Sequence, residues 1–208
     1  FNSLFPYKSN AETVVEEKDL KAEQICFAFA DHKVENPKVF IPIFPGTNSE
    51  YDSAKAFRRE GAIVSTLPFR NLTQQDVEES VDAFVNEINQ ANIFFVPGGF
   101  SAADEPDGSG KFIATVLRNE KIKNAIHNLL ERDGLVLGIC NGFQALIKSG
   151  LLPYGRIQDL EEDTPTLTFN EIGRHITQLA KVRVNKSHSP WLKAVSYTHL
   201  RAHETPEH

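Results

Sequence analysis

Methionine is missing from all 208 residues, including position 1, where Phe1 stands, so the chain reads as a fragment without its native start. Cysteine is nearly missing too, with only Cys26 and Cys140. Two thiols in a chain this long make no disulfide framework and suit a reducing cytosol, so a cytoplasmic protein is expected. No apolar run approaches the ~20 residues of a membrane helix, and no signal peptide opens the sequence. A basic excess is lacking as well. Lysine and arginine number 22 against 28 acidic residues, and the signs are interleaved, which argues against a nucleic-acid-binding face. No glycine loop ends in Gly-Lys-Ser/Thr, which argues against a phosphate loop.

What remains is an ordinary globular composition, 40% hydrophobic and 24% charged, long enough for one α/β domain with a sizeable core. Residues 1–36 are mixed, with Glu12, Glu16, Glu17 and Lys18 in a polar stretch, and read as a linker or the edge of a preceding domain. Residues 37–193 read as the main domain. Short apolar runs at 39–44, 62–67, 93–96 and 135–139 are of the kind buried in parallel sheets. Helical patterns fall between them at 50–60, 74–90, 112–117 and 122–130, and another follows at 141–148 with Gly150 as its C-terminal glycine. This alternation predicts an open, mostly parallel sheet with helices on both faces. Ligands in such sheets bind at the carboxyl ends of the strands, where the sequence places residues 45–49, 97–110 and the turn at Cys140.

The pentapeptide Gly138-Ile139-Cys140-Asn141-Gly142 carries the chemistry. A nucleophile between two glycines, after an apolar strand and before a helix, matches a nucleophile elbow. The tight turn projects the side chain above the sheet, and small neighbours permit close approach. The helix start puts partial positive charge near the sulfur, which suits an anionic nucleophile. The amide after the cysteine is placed to receive an oxyanion. The same pattern also fits a small buried cysteine at a strand end. A second element, Pro97-Gly98-Gly99-Phe100-Ser101, ends the preceding apolar strand, and paired glycines there can present a backbone amide to a carbonyl oxygen or simply form a loop with positive φ. A third, Pro45-Gly46-Thr47-Asn48, is a glycine-containing loop at a strand end.

Together these elements resemble the class I (triad) glutamine amidotransferases, whose open sheet is flavodoxin-like. FPGTNSEYD at 44–52, PGGFSAADEPDGSG at 97–110 and LGICNGFQALI at 137–147 are similar to the phosphoribosylformylglycinamidine synthase family. DEPDGSG at 104–110 and LTFNEIGRH at 167–175 are most similar to its long single-chain form, known from clostridia and their relatives. The resemblance implies hydrolysis of glutamine through a cysteinyl thioester on Cys140, with ammonia passed to a synthetase domain of the same parent chain. There ATP and magnesium would drive amidation of formylglycinamide ribonucleotide. By the same resemblance the amides of Gly99 and Asn141 hold the oxyanion and Gln144 helps hold glutamine. Gly46, Thr47, Asn48, Phe100, Asn170 and Gly173 contribute to the pocket, although Asn170 also reads as a turn residue. No metal ligand and no cofactor of the domain itself are implied.

The family completes its triad with a His-x-Glu pair downstream of the nucleophile, and the resemblance stops near Trp191 and Leu192. His175, His188 and His203 do not stand at the triad position. Residues 195–205, VSYTHLRAHET, resemble the translation of a sequencing adapter, so 194–208 are expected to be a non-native tail. Without the triad base the chain is expected to be nearly inactive by itself, since general acid–base help is worth ~10²–10⁴-fold. Two other readings stand beside the enzyme domain. One is an amidotransferase-like domain that binds a metabolite or partner without turnover. The other is a hydrolase or stress-protein relative that shares the cysteine elbow.

Overall fold

The computed structural model describes residues 34–100, 110–167, 172–174, 179–183, 189–191 and 199–203. They fall into two compact units, one within 34–168 and the other containing the described residues from 172 onward.

In the first unit the alternation expected from sequence is present. Strand β1 (Lys38–Ile43) is followed by helix α1 (Glu50–Arg59), β2 (Ile63–Pro68), α2 (Gln74–Gln90) and β3 (Ile93–Val96). Then come α3 (Lys111–Leu117), α4 (Glu120–Glu131), β4 (Leu135–Gly138), α5 (Asn141–Lys148) and a single turn, α6 (Leu151–Tyr154). The sheet order is β2-β1-β3-β4 and every pairing is parallel. Two helix ends show how local chemistry sets the boundaries. Thr73 caps α2, its Oγ1 accepting from the Asp76 N–H while the Asp76 carboxylate accepts from the Thr73 N–H, so two N-terminal donors are satisfied reciprocally. The C-cap of α5 is Ser149 rather than Gly150, and Gly150, in the left-handed region at φ 83°, stands just beyond it. Helix α6 was not expected, because four residues with a proline among them carry no periodicity.

Side chains alternate across each strand, so β1 and β3 feed two cores. Phe40, Phe94 and Val96 join Phe84, Ile88, Ile113, Ile122, Ile126 and Leu146 under α2–α5. Val39, Ile41 and Phe95 face the other way and pack with Ala54 and Phe57 of α1. The larger core is organised around Phe84, whose ring meets those of Phe40, Phe69 and Phe44 edge-on at 5.2, 5.4 and 5.9 Å.

The second unit contains an antiparallel pair, β5 (Leu179–Arg183) with β6 (His199–His203). Neither strand was anticipated, since five residues flanked by polar segments give too short a pattern to read. Among the described residues, no helix is long and apolar enough to cross a membrane.

Candidate functional site

The strand order decides where the glycine loops meet. From β1 the chain turns outward to β2, and from β3 it turns the opposite way to β4, so the sheet has its switch point between β1 and β3. Loops leaving adjacent strands in opposite directions open a crevice at their carboxyl ends. Across that crevice Thr47 and Gly99 form an isolated antiparallel bridge. Its hydrogen bonds run through the flanking residues: Phe100 N–H donates to the Gly46 carbonyl at 2.8 Å, and Asn48 N–H to the Gly98 carbonyl at 3.4 Å. In a pair of this type the bridged residues themselves point their amide and carbonyl groups outward. Gly99 accordingly makes no backbone hydrogen bond through its N–H among the described residues.

Gly99 must be glycine for two reasons. Its φ is 140°, and an added Cβ would stand 2.8 Å from Thr47 Cα and 2.9 Å from Asn48 N. Gly98, one residue earlier, lies against the cysteine. A Cβ there would approach Cys140 Cβ to 3.2 Å and Ser49 Oγ to 3.3 Å. The three loops singled out in the sequence therefore converge: 46–49 after β1, 98–100 after β3 and Cys140 after β4.

Cys140 occupies the strand-to-helix turn with φ 53° and ψ −114°. Asn36 and Asp133 are the other described non-glycine residues at positive φ, and those types tolerate it through their short polar side chains. Cysteine has no such excuse, and a ψ of −114° lies outside the left-handed helical basin. Backbone of this kind costs on the order of 1–3 kcal/mol and persists only where the surroundings over-determine it. Here they do. Ile139 N–H donates to Val96 O at 3.1 Å, which extends the sheet pairing to the residue before the cysteine. Gly142 N–H turns back to Ile139 O at 2.9 Å, and Gln144 N–H to Cys140 O at 3.0 Å opens α5. The flanking glycines serve close approach rather than positive φ. A Cβ on Gly138 would collide with Leu146 Cδ1 at 2.7 Å and Gly142 C at 2.8 Å, and one on Gly142 would collide with the Val96 carbonyl.

The cysteine is exposed and free. On the first turn of α5 the buried Asn141 donates from Nδ2 to Gln144 Oε1 at 3.2 Å, which orients the Gln144 side chain. Gly110, at φ 83°, starts α3 against α5, with its Cα so close to Ala145 that a Cβ would lie 2.6 Å from Ala145 N. Of the other sequence candidates, Asn170 lies outside the described residues. Gly173 is exposed, at φ 69°, and belongs to the second unit.

Ser49 had been given no role. A serine directly before a helix reads as an N-cap, yet its side chain makes no capping bond to α1. Instead Gly98 N–H donates to Ser49 Oγ at 2.9 Å, and Ser49 Oγ donates to the Gly98 carbonyl at 3.2 Å. The neighbouring Glu50 has a buried carboxylate oxygen, Oε2, without a hydrogen-bond partner among the described residues. His127 is the single histidine of the 34–168 unit, and its Nε2 accepts from the Ile157 N–H at 2.9 Å. It borders a cleft of about 570 Å³ lined by Lys123, Glu131 and Arg156 among others, which includes none of the residues around Cys140.

An open parallel sheet carrying a cysteine at a strained elbow, with glycine loops gathered at the switch point, fits the class I glutamine amidotransferase fold. Residues 36–206 match the model of the CobB/CobQ-like glutamine amidotransferase domain, and the chain belongs to that family. It is similar to phosphoribosylformylglycinamidine synthase subunit PurQ of Dehalococcoides mccartyi, 32% identical over 148 residues, 71% of this chain and 52% of the relative. The same-named subunit of Treponema denticola is 31% identical over 166 residues, 76% of this chain and 57% of the relative. Among solved structures, PurLQS from Thermotoga maritima aligns with a TM-score of 0.53 at 25% identity, covering 81% of this chain and 64% of that one. The chain thus spans about half the length of the curated relatives it matches.

Proposed function

We propose that this chain is a glutaminase module, releasing ammonia from glutamine for the amidation step of phosphoribosylformylglycinamidine synthesis. One observation carries the reading: Cys140 is held at a strained elbow, exposed, with Gly98 of the neighbouring loop against its Cβ. The relatives' names supply the pathway.

In the proposed reaction Cys140 Sγ, as thiolate, attacks the side-chain amide carbon of glutamine. The carbonyl π electrons move to oxygen, where the amides of Gly99 and Asn141 receive the charge. Collapse expels the nitrogen, which takes a proton from water in place of the one the thiol released to solvent and leaves as ammonia, and a thioester remains. Water then adds to the thioester, and glutamate departs with the thiol restored, so glutamine and water become glutamate and ammonia. Gln144, oriented by Asn141, helps to hold the substrate, with Gly46, Thr47, Asn48 and Phe100 contributing to its pocket. With His127 committed to Ile157, the 34–168 unit offers no imidazole base to the sulfur. On the family's pattern, whose downstream His-x-Glu pair His175, His188 and His203 do not match, turnover by this chain alone is slow, whereas single covalent modification of Cys140 proceeds.

Ammonia passes to an ATP- and magnesium-dependent synthetase. The 104–110 and 167–175 motifs resemble the single-chain form, and on that resemblance the synthetase shares the parent polypeptide in the cytosol. The size of the parent protein, read by immunoblot, distinguishes this from a separate subunit.

The test is covalent labelling with a diazo-ketone analogue of glutamine, the adduct located by mass spectrometry. Modification of Cys140 and not Cys26, suppressed by glutamine but not by glutamate-free controls such as alanine, is the expected result. Equal modification of both cysteines, or none in the folded chain, overturns the reading.

A further inference from the structure

We propose that Ser49 is a positioning residue that sets the direction of the Gly99 amide; this rests on the glutaminase reading given above. The argument begins with the peptide joining Gly98 and Gly99. A glycine on each side makes it unusually free to rotate, because neither residue has a Cβ to restrict it. A flip of that peptide would replace an N–H donor by a carbonyl oxygen, which repels an oxyanion. Some external contact must therefore choose one orientation.

Ser49 makes that contact at both ends of Gly98, accepting from its N–H at 2.9 Å and donating to its carbonyl at 3.2 Å. Asn48 N–H adds a longer bond to the same carbonyl, 3.4 Å. In a planar trans peptide the carbonyl and the following N–H point in opposite directions. Holding the Gly98 carbonyl toward the 48–49 side consequently turns the Gly99 N–H away from it. Ser49 is itself braced, its carbonyl accepting from the Ser53 N–H at 3.1 Å and the Ser53 hydroxyl at 2.7 Å. The hydroxyl is withdrawn from the helix cap it is positioned to make, leaving α1 without a side-chain cap. Such a cap stabilises a helix start, so its diversion to Gly98 is a cost borne by the helix for order in the loop.

The experiment compares the full chain with Ser49→Ala and Ser49→Thr, using two electrophiles of different demands. The glutamine-like diazo-ketone needs the carbonyl site, while iodoacetamide reports only on access to the thiol. Ser49→Ala is expected to slow diazo-ketone labelling of Cys140 by about tenfold, less than the ~10²–10³ for outright loss of an oxyanion donor. Iodoacetamide labelling stays within about twofold, and Ser49→Thr, which keeps the hydroxyl, recovers most of the diazo-ketone rate. In ¹⁵N-glycine spectra the Gly98 amide of Ser49→Ala loses protection from exchange, and Thr restores it.

Two failures are distinguishable. If the parent chain takes up no diazo-ketone at Cys140, the glutaminase reading falls and the positioning role falls with it. If the parent chain is labelled and Ser49→Ala reacts at the same rate, the reading stands and the role of Ser49 is overturned. An equal slowing with both electrophiles, or no recovery with threonine, also overturns it, since general disturbance of the loop then suffices.

Discussion

Gly142 of α5 packs its Cα directly over the carbonyl of Val96 at the end of β3, leaving no room for a single methyl group. This contact seats the helix that follows the cysteine. Gly142→Ala must move either the helix or the strand end, and we expect a loss of roughly 1–3 kcal/mol, as for other over-packed sites. Urea denaturation measures it. A variant within about 0.5 kcal/mol of the parent would show that the glycine serves something other than close approach.

Phe84 is the hub of the larger core, 1% exposed and edge-on to three other phenylalanines. Phe84→Ala is expected to cost about 3–5 kcal/mol, through lost burial and the cavity left behind. Phe84→Leu should cost distinctly less. Denaturant midpoints at constant slope are the measurement, and similar values for both variants would contradict the ring-packing account.

The reciprocal Thr73–Asp76 box begins the longest helix of the unit. Thr73→Ala is expected to lower stability by about 1 kcal/mol, with Thr73→Ser close to the parent because the hydroxyl is retained. Amide exchange localised to residues 74–77 distinguishes fraying of the helix start from global unfolding.

Lys121 of α4 reaches Asp82 of α2 at 2.6 Å, and that hydrogen bond, followed by the charge of Asp82, raises the lysine above its ordinary value of 10.5. A raised folded-state value means that the folded protein holds the proton more tightly than the unfolded chain. The contribution is therefore complete below the ordinary lysine range and is lost as pH climbs through the folded-state value. Both side chains are well exposed, so the effect is small and screened by salt. Paired melts of the parent and Lys121→Met at low ionic strength should differ at pH 9 and converge above the lysine range. A gap that widens with pH would contradict the assignment.

Much of the first unit is legible in the sequence. The runs at 93–96 and 74–90 are the observed β3 and α2, and the other boundaries expected between residues 39 and 148 fall within two residues of those found. Local signals suffice there because each strand is a short apolar run and each larger helix has one apolar stripe. The turn at Cys140 and the Gly98-Gly99 loop were legible for a related reason, since glycines around a small residue mark a turn that larger residues cannot make. The single turn α6 and the β5–β6 pair were not legible, because their segments are too short to show a period.

By itself, then, the sequence determined the alternation of strand and helix, the parallel sheet and the elbow at Cys140, all consequences of hydrophobic spacing and backbone sterics over a few neighbouring residues. Only the tertiary structure decided that β1 lies between β2 and β3, and so that the 46–49 and 98–100 loops share one crevice. Ser49 and Gly98 are 49 residues apart, and neither carries a mark of the other. Their hydrogen bonds exist because strand order brings two distant loops side by side, and that order follows from how the whole sheet packs, which no local pattern encodes.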